Sequence, residues 1–167
     1  MRRTLVRSHR YSAKKMSNKQ QGIINIYGAK IQYMQFPENL PVVVIVEDDL
    51  YMQGILAQSL SENFTPVVFQ NGMEAFNYLQ QGNIPDIIIS DLNTPVLNGI
   101  QFLEQVKSSG FFSNIPVIIL SGVENTETRI KCLEAGADDF IVKPFNPREL
   151  EARLKGILKR AGKLVLN

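Results

Sequence analysis

The sequence predicts an α/β fold: a doubly wound, five-stranded parallel sheet with helices on both faces. Three observations predict it. Five short apolar runs alternate with five helical patterns from Leu40 onward, the signature of repeated β-α units. The runs are apolar throughout and do not alternate with polar residues, which suits strands buried on both faces. Each crossover is about one helix long, so the units belong to one open sheet.

The elements follow in order. PVVVIV at 41–46 is the first strand and leads into Glu47-Asp48-Asp49. Leu50, Ile55, Leu56 and Leu60 then recur on one side of a helix, for which Asp49 reads best as the cap. Pro66 to Phe69 is a second strand, and Asn71-Gly72 opens a helix carrying Met73, Ala75, Phe76 and Leu79. A third strand, Asp86 to Ser90, meets Asp91, and Asn98-Gly99 makes a tight turn into a helix over about 99–109. IPVIIL at 115–120 meets Ser121-Gly122, and a helix follows over about 125–135. Asp139 to Val142 meets Lys143-Pro144, and Asn146-Pro147 supplies the cap and first-turn proline of a helix over about 146–161.

Composition removes several classes of function. With 44% apolar and 20% charged residues the chain has the makeup of a folded domain. Its longest apolar runs, such as Val42 to Val46, fall far short of the ~20 residues that a membrane span needs. Cys132 is the only cysteine, so no intramolecular disulfide and no thiolate zinc cluster is expected, and a reducing, cytoplasmic setting is the default. His9 is the only histidine, which removes histidine metal sites and argues against Ser-His-Asp or Cys-His catalysis.

The net charge of +2 conceals two regions of different character. Residues 1–40 carry eight Lys or Arg and the single acid Glu38, for +7, while the remainder carries −5. Three segments follow: a basic N-terminal extension over 1–40, a folded domain over 41–162, and a short tail over 163–167. The extension is best described as a flexible tail, and its makeup also suits a transit peptide, a nucleic-acid arm or a membrane-surface contact. Met16 and Met34 are available as later starts. Gly22 to Phe36 reads equally as a helix and as two short strands.

In open parallel sheets, ligands bind beyond the carboxyl ends of the strands, where the strand order reverses. The residues at those ends are Glu47, Asp48, Asp91, Ser121 and Lys143. Each alone has a simpler reading, as a cap, a turn residue or a solvated lysine. Together they place three carboxylates, a hydroxyl and an ammonium on one edge, and the carboxylates repel unless a cation offsets them. A hard-oxygen cluster without histidine or cysteine points to Mg²⁺ or a similar ion.

These residues also carry a resemblance. IVEDD at 45–49, DIIISDLNTPVLNGI at 86–100, VIILSG at 117–122 and GADDFIVKPFNPREL at 136–150 resemble the receiver domain of two-component response regulators. The likeness covers residues 41–162, about three quarters of the chain. It implies a flavodoxin-like strand order, 2-1-3-4-5. It implies that Asp91 accepts a phosphoryl group from a histidine kinase or histidine phosphotransfer protein. Mg²⁺ would be held directly by Asp48, through water by Glu47, and by Asp91 and the Asn93 carbonyl. Ser121 and Lys143 would stabilise the phosphoryl group, and the Lys143-Pro144 bond is expected to be cis. Ser121 and Phe140 would form the switch, although Phe140 also reads as an ordinary strand aromatic. No chemistry beyond phosphotransfer to and from Asp91 is implied, so the protein is not expected to be an enzyme in the usual sense.

The C-terminal third is most similar to receivers of transcription factors, which pair through the fourth helix, fifth strand and fifth helix. Arg129 would then meet Glu149, and Asp139 would meet Arg153, across a two-fold axis. Solvated surface charges explain these four residues equally well. With the chain ending at Asn167, a stand-alone receiver acting on a downstream protein target through a binding surface is expected. Three other readings compete. A receiver-like interaction module that works without phosphorylation conflicts with the complete set of Asp48, Asp91, Ser121 and Lys143. A flavin-binding fold of the same topology lacks a phosphate-cradling loop, since Glu47-Asp48-Asp49 would repel a phosphate. A DNA-binding role for the basic arm lacks a recognition element, so nucleic acid is not expected as a partner.

Overall fold

A computed structural model describes residues 40–163. The expectations for the basic extension, apart from Leu40, and for the tail beyond Lys163 lie outside the described residues. Strands β1 (Val42–Val46), β2 (Thr65–Phe69), β3 (Ile87–Asp91), β4 (Val117–Ser121) and β5 (Asp139–Val142) alternate with helices α1 (Leu50–Leu60), α2 (Gly72–Gln80), α3 (Gly99–Ser108), α4 (Thr126–Glu134) and α5 (Pro147–Arg160). The strands form one parallel sheet in the order β2-β1-β3-β4-β5. This is the doubly wound sheet that the sequence pattern predicts, in the flavodoxin-like order that the resemblance implied.

Side chains alternate across the sheet, as the two-residue period of a strand requires. Val43, Ile45, Ile87, Ile89, Ile118 and Leu120 face α1 and α5, where they meet Leu56, Leu60, Leu150, Leu154 and Leu158. Val44, Val46, Ile88, Val117 and Ile119 face the other way, with Ala75, Leu79, Phe102, Leu103 and Val106 of α2 and α3 and Cys132 of α4. Both faces are thus covered, which explains why β1, β3 and β4 are apolar at nearly every position. Each fully buried branched side chain contributes roughly 1.5–3 kcal/mol.

The helices start where polar caps stand. Asp49, Asn71, Asn98, Asn125 and Asn146 each accept a hydrogen bond from a backbone N–H of the first turn. Asn98 and Gln101 complete a reciprocal capping box. The Asp49 cap follows the reading of its sequence position, with Oδ1 2.7 Å from the Met52 N–H.

Two strands run one residue further than their apolar runs suggest. Asp91 pairs in register with Leu120, and Ser121 with Val142. The ladder continues because the main-chain groups of a polar residue bond as well as those of an apolar one. Asp91 and Ser121 are therefore the last residues of β3 and β4, not the first of the loops. Among the described residues no helix is long and apolar enough to cross a membrane.

Candidate functional site

Strand order reverses on either side of β1 and β3, so the crevice between their carboxyl ends is open to a ligand. β1 delivers Glu47 and Asp48 there, and β3 delivers Asp91. One oxygen from each of the three lies within 4.8 Å of the others. Glu47 and Asp91 are buried and Asp48 is exposed.

Lys143 reaches this cluster from the end of β5. Its Nζ lies 2.6 Å from Glu47 Oε2 and 3.2 Å from Asp91 Oδ1. Burial alone would lower the lysine pKa, but the two carboxylates outweigh it and hold the group above its ordinary value. Burial pushes the Glu47 carboxyl upward, and Lys143 offsets part of that shift. The Lys143-Pro144 peptide is cis, as the resemblance implied.

The remaining hydrogen bonds fix the cluster to the backbone. Glu47 Oε1 accepts from the Asp49 N–H at 3.2 Å, and the Glu47 carbonyl accepts from Gln53 Nε2 at 2.6 Å. Asp91 Oδ1 accepts from the Leu92 N–H at 2.9 Å. Among the described residues Asp91 Oδ2 has no hydrogen-bonding partner. Such an arrangement offers a carboxylate oxygen to an incoming electrophile beside a fixed ammonium. The oxygen-only donor set fits a hard divalent ion such as Mg²⁺, which keeps waters and needs only one or two carboxylates.

The other predicted residues fall into place unevenly. Asn93 is exposed in the loop that leaves β3. Ser121 is buried, and its Oγ donates to the Val123 carbonyl at 3.0 Å while accepting from the Val123 N–H at 3.1 Å. Its hydroxyl is thus engaged with its own loop. A Cβ at Gly122 would meet nothing within 4 Å, so space is open beside that hydroxyl. Phe140 is 4% exposed and packed in the core under α3 and α4. The aromatic proposed as a switch therefore faces inward.

Of the charges expected to pair across a two-fold axis, three already meet within one chain. Arg153 bonds Asp139 at 2.9 Å and Glu149 at 2.6 Å within the same chain. The reason is proximity: Glu149 lies one turn before Arg153 on α5, and β5 begins beside that helix. Arg129 is exposed on α4 and joins no ion pair among the described residues.

Three contributors carry no obvious sign in the sequence. Gln53 on α1 reaches back six residues to the Glu47 carbonyl, a contact that no motif announces. Gly99 reads as a turn residue, yet its α-carbon packs against Asp91: a Cβ there would stand 2.5 Å from the Asp91 carbonyl oxygen. Val96 holds φ of 67°, unusual for a β-branched residue. Its loop is pinned by Thr94 Oγ1 donating to the Leu97 carbonyl at 2.8 Å and by the Gly72 N–H donating to the same oxygen at 3.3 Å.

Comparison with known proteins agrees with this geometry. The family model described as the response regulator receiver domain matches residues 43–155. The probable transcriptional regulator ycf27 of Guillardia theta is 38% identical over 122 residues, covering 72% of this chain and 46% of that protein. The phosphate regulon transcriptional regulatory protein PhoB of Escherichia coli K12 is 37% identical over 119 residues, covering 71% of this chain and 52% of PhoB. This chain thus spans about half the length of these relatives. Among solved structures, the receiver domain of the Francisella response regulator 1452 superposes with a TM-score of 0.67 at 34% identity, over 72% of this chain and 98% of that one.

Proposed function

The chain belongs to the response regulator receiver domain family, and from that footing we propose that it is the phosphoacceptor of a two-component phosphorelay. In this reading it takes a phosphoryl group from a histidine kinase or histidine phosphotransfer protein onto Asp91, with Mg²⁺, and signals through a change of surface. The observation that carries the proposal is the contact of Lys143 Nζ, 3.2 Å from Asp91 Oδ1, over a cluster of three carboxylates.

Asp91 would act through Oδ2, which is free of protein partners among the described residues. That oxygen bonds to phosphorus as the phosphorus–nitrogen bond of the donor phosphohistidine breaks, and the electron pair of that bond returns to the imidazole. Charge spreads over the equatorial oxygens in such a transfer, so positioning and electrostatics do most of the work. Lys143 offsets that charge from one side. The open space at Gly122 receives the phosphoryl group, and Ser121 trades its Val123 contacts for a phosphoryl oxygen. Glu47, Asp48, Asp91 and the Asn93 carbonyl would hold Mg²⁺, which when bound supplies further positive charge against the phosphoryl oxygens.

Partners follow from the rim of the site. Leu50, Tyr51, Val96 and Val123 are all more than half exposed, on α1 and on the loops that leave β3 and β4. Apolar side chains around a charged centre suit a docked helix that brings its histidine to Asp91. A downstream protein target, and self-association through α4, β5 and α5, belong to the same reading. So does a cytoplasmic setting. The protein's chemistry is confined to its own aspartate, so it turns over no separate substrate.

The test is incubation with acetyl phosphate, with and without Mg²⁺, followed by the mass of the intact protein. A Mg²⁺-dependent gain of one phosphoryl group, absent in Asp91→Asn, is expected. No gain under any condition would overturn the proposal and favour a module that binds partners without phosphorylation.

A further inference from the structure

The loop that leaves β3 holds the backbone of Val96 in a strained conformation. The Leu97 N–H donates to the Pro95 carbonyl at 2.7 Å, which makes Val96 the centre of a γ-turn. Its φ of 67° belongs to the rare, strained form of that turn. At 79% exposure the valine side chain gains little burial in return. Strain of this kind persists only where the surroundings over-determine it. Thr94, 6% exposed, donates from Oγ1 to the Leu97 carbonyl at 2.8 Å, and the Gly72 N–H reaches the same oxygen at 3.3 Å. The start of α2 leaves no slack on that side, since a Cβ at Gly72 would stand 2.8 Å from the Leu97 oxygen.

We infer that Thr94 is a positioning residue for the divalent-ion site: its hydroxyl latches the strained turn at Val96 and thereby presets the main-chain carbonyl of Asn93. The inference rests on the Mg²⁺-dependent reading proposed above. The Asn93 carbonyl and the Thr94 N–H share one planar peptide unit, so fixing Thr94 fixes the plane that carries the oxygen. The Asn93 side chain is exposed and makes no hydrogen bond among the described residues, so it does not hold that plane. Upstream, the Leu92 N–H bonds the Leu120 carbonyl at 2.8 Å. The segment is thus fastened at both ends, and the downstream fastening depends on a side chain. Without the hydroxyl, Val96 is free to relax toward negative φ, and residues 93–95 move with it. A ligand oxygen already in place spares ion binding the entropy of ordering a loop.

The experiment measures Mg²⁺ affinity calorimetrically for wild type and for Thr94→Val, each in a Val96 and a Val96→Asn background. Valine keeps the branched shape of threonine and removes the hydroxyl, while asparagine accepts a left-handed φ with less strain. Thr94→Val is expected to weaken Mg²⁺ binding roughly tenfold, the usual scale for losing a group that orients a metal ligand. Where Val96→Asn has removed the strain the latch matters less, and the loss is expected to shrink to about threefold or less. Thr94→Ser, which keeps the hydroxyl, should retain most of the affinity. Hydrogen exchange at the Leu97 amide of the metal-free wild type needs no variant to fold, and protection there is expected because the turn is preset. An equal loss in both backgrounds, a lowered urea midpoint with no loss of affinity, or an unprotected Leu97 amide would overturn the inference and leave the phosphoacceptor reading standing. Failure of the wild type to bind Mg²⁺ would overturn both.

Discussion

The α-carbon of Gly99 is pressed against the backbone of Asp91, so close that a methyl group there would lie 2.5 Å from the Asp91 carbonyl oxygen and 2.8 Å from the Leu92 α-carbon. The Gly99 N–H donates to the Leu92 carbonyl at 2.9 Å. The first residue of α3 is in this way stacked under the residue proposed to carry the phosphoryl group. The obstacle to a side chain is backbone, which cannot rotate away.

Gly99→Ala is therefore expected to destabilise the fold. Overpacking of this kind costs about 1–3 kcal/mol, more than the gain of about 1 kcal/mol that alanine brings to a helix. Urea unfolding would read the loss. A variant as stable as the wild type would show that α3 can shift without cost.

Lys143 has a pKa held above its ordinary value of 10.5, because Glu47 and Asp91 outweigh the opposing effect of burial. The sign follows from linkage. A group whose folded pKa is raised binds its proton more tightly in the native state, so its contribution is fully present below the ordinary value. It is lost as the pH rises through the raised one. The difference in urea midpoint between wild type and Lys143→Met should thus be constant through neutral pH and shrink above about pH 10.5. A difference that persists unchanged at higher pH would mean that the lysine stabilises by packing alone.

Phe140→Ala separates a core aromatic from a free rotor. With Phe140 buried to 4% exposure, truncation is expected to cost about 3–5 kcal/mol, as for other buried phenylalanines. Phe140→Leu should cost much less. A loss below about 1 kcal/mol for alanine would point to a loosely held side chain.

Arg153→Ala removes two ion pairs at once, yet the side chain is 43% exposed. Exposed pairs contribute about 0–1 kcal/mol each, so a small loss in thermal stability is expected. The same variant bears on self-association. If α4, β5 and α5 form a two-fold interface, Arg153 must leave Glu149 or Asp139 to reach a partner. Sedimentation of wild type and variant, before and after acetyl phosphate treatment, would show whether the mass depends on it.

Much of the architecture was legible because it rests on periodicity and caps. β1, β3 and β4 are apolar on both faces, and that pattern can be satisfied only between two layers of helix. The helix starts were legible in Asp49, Asn71 and Asn146, whose short polar side chains compete for backbone N–H groups. Strand ends were less so: Asp91 and Ser121 look like loop residues because composition registers side chains, while the ladder is made by the main chain.

The sequence by itself determined the alternation of elements, the position of the acidic residues at strand ends, and a donor set made of oxygen. These depend on local pattern and on the chemistry of single side chains. Only the tertiary structure decided which partner each charge takes. Lys143 lies nearer to Glu47 than to Asp91, Arg153 turns to Asp139 and Glu149 within its own chain, and Ser121 spends its hydroxyl on Val123. Such choices are settled by sub-ångström differences in reach across a twisted sheet, and residues 96 positions apart, such as Glu47 and Lys143, have no local pattern to record them.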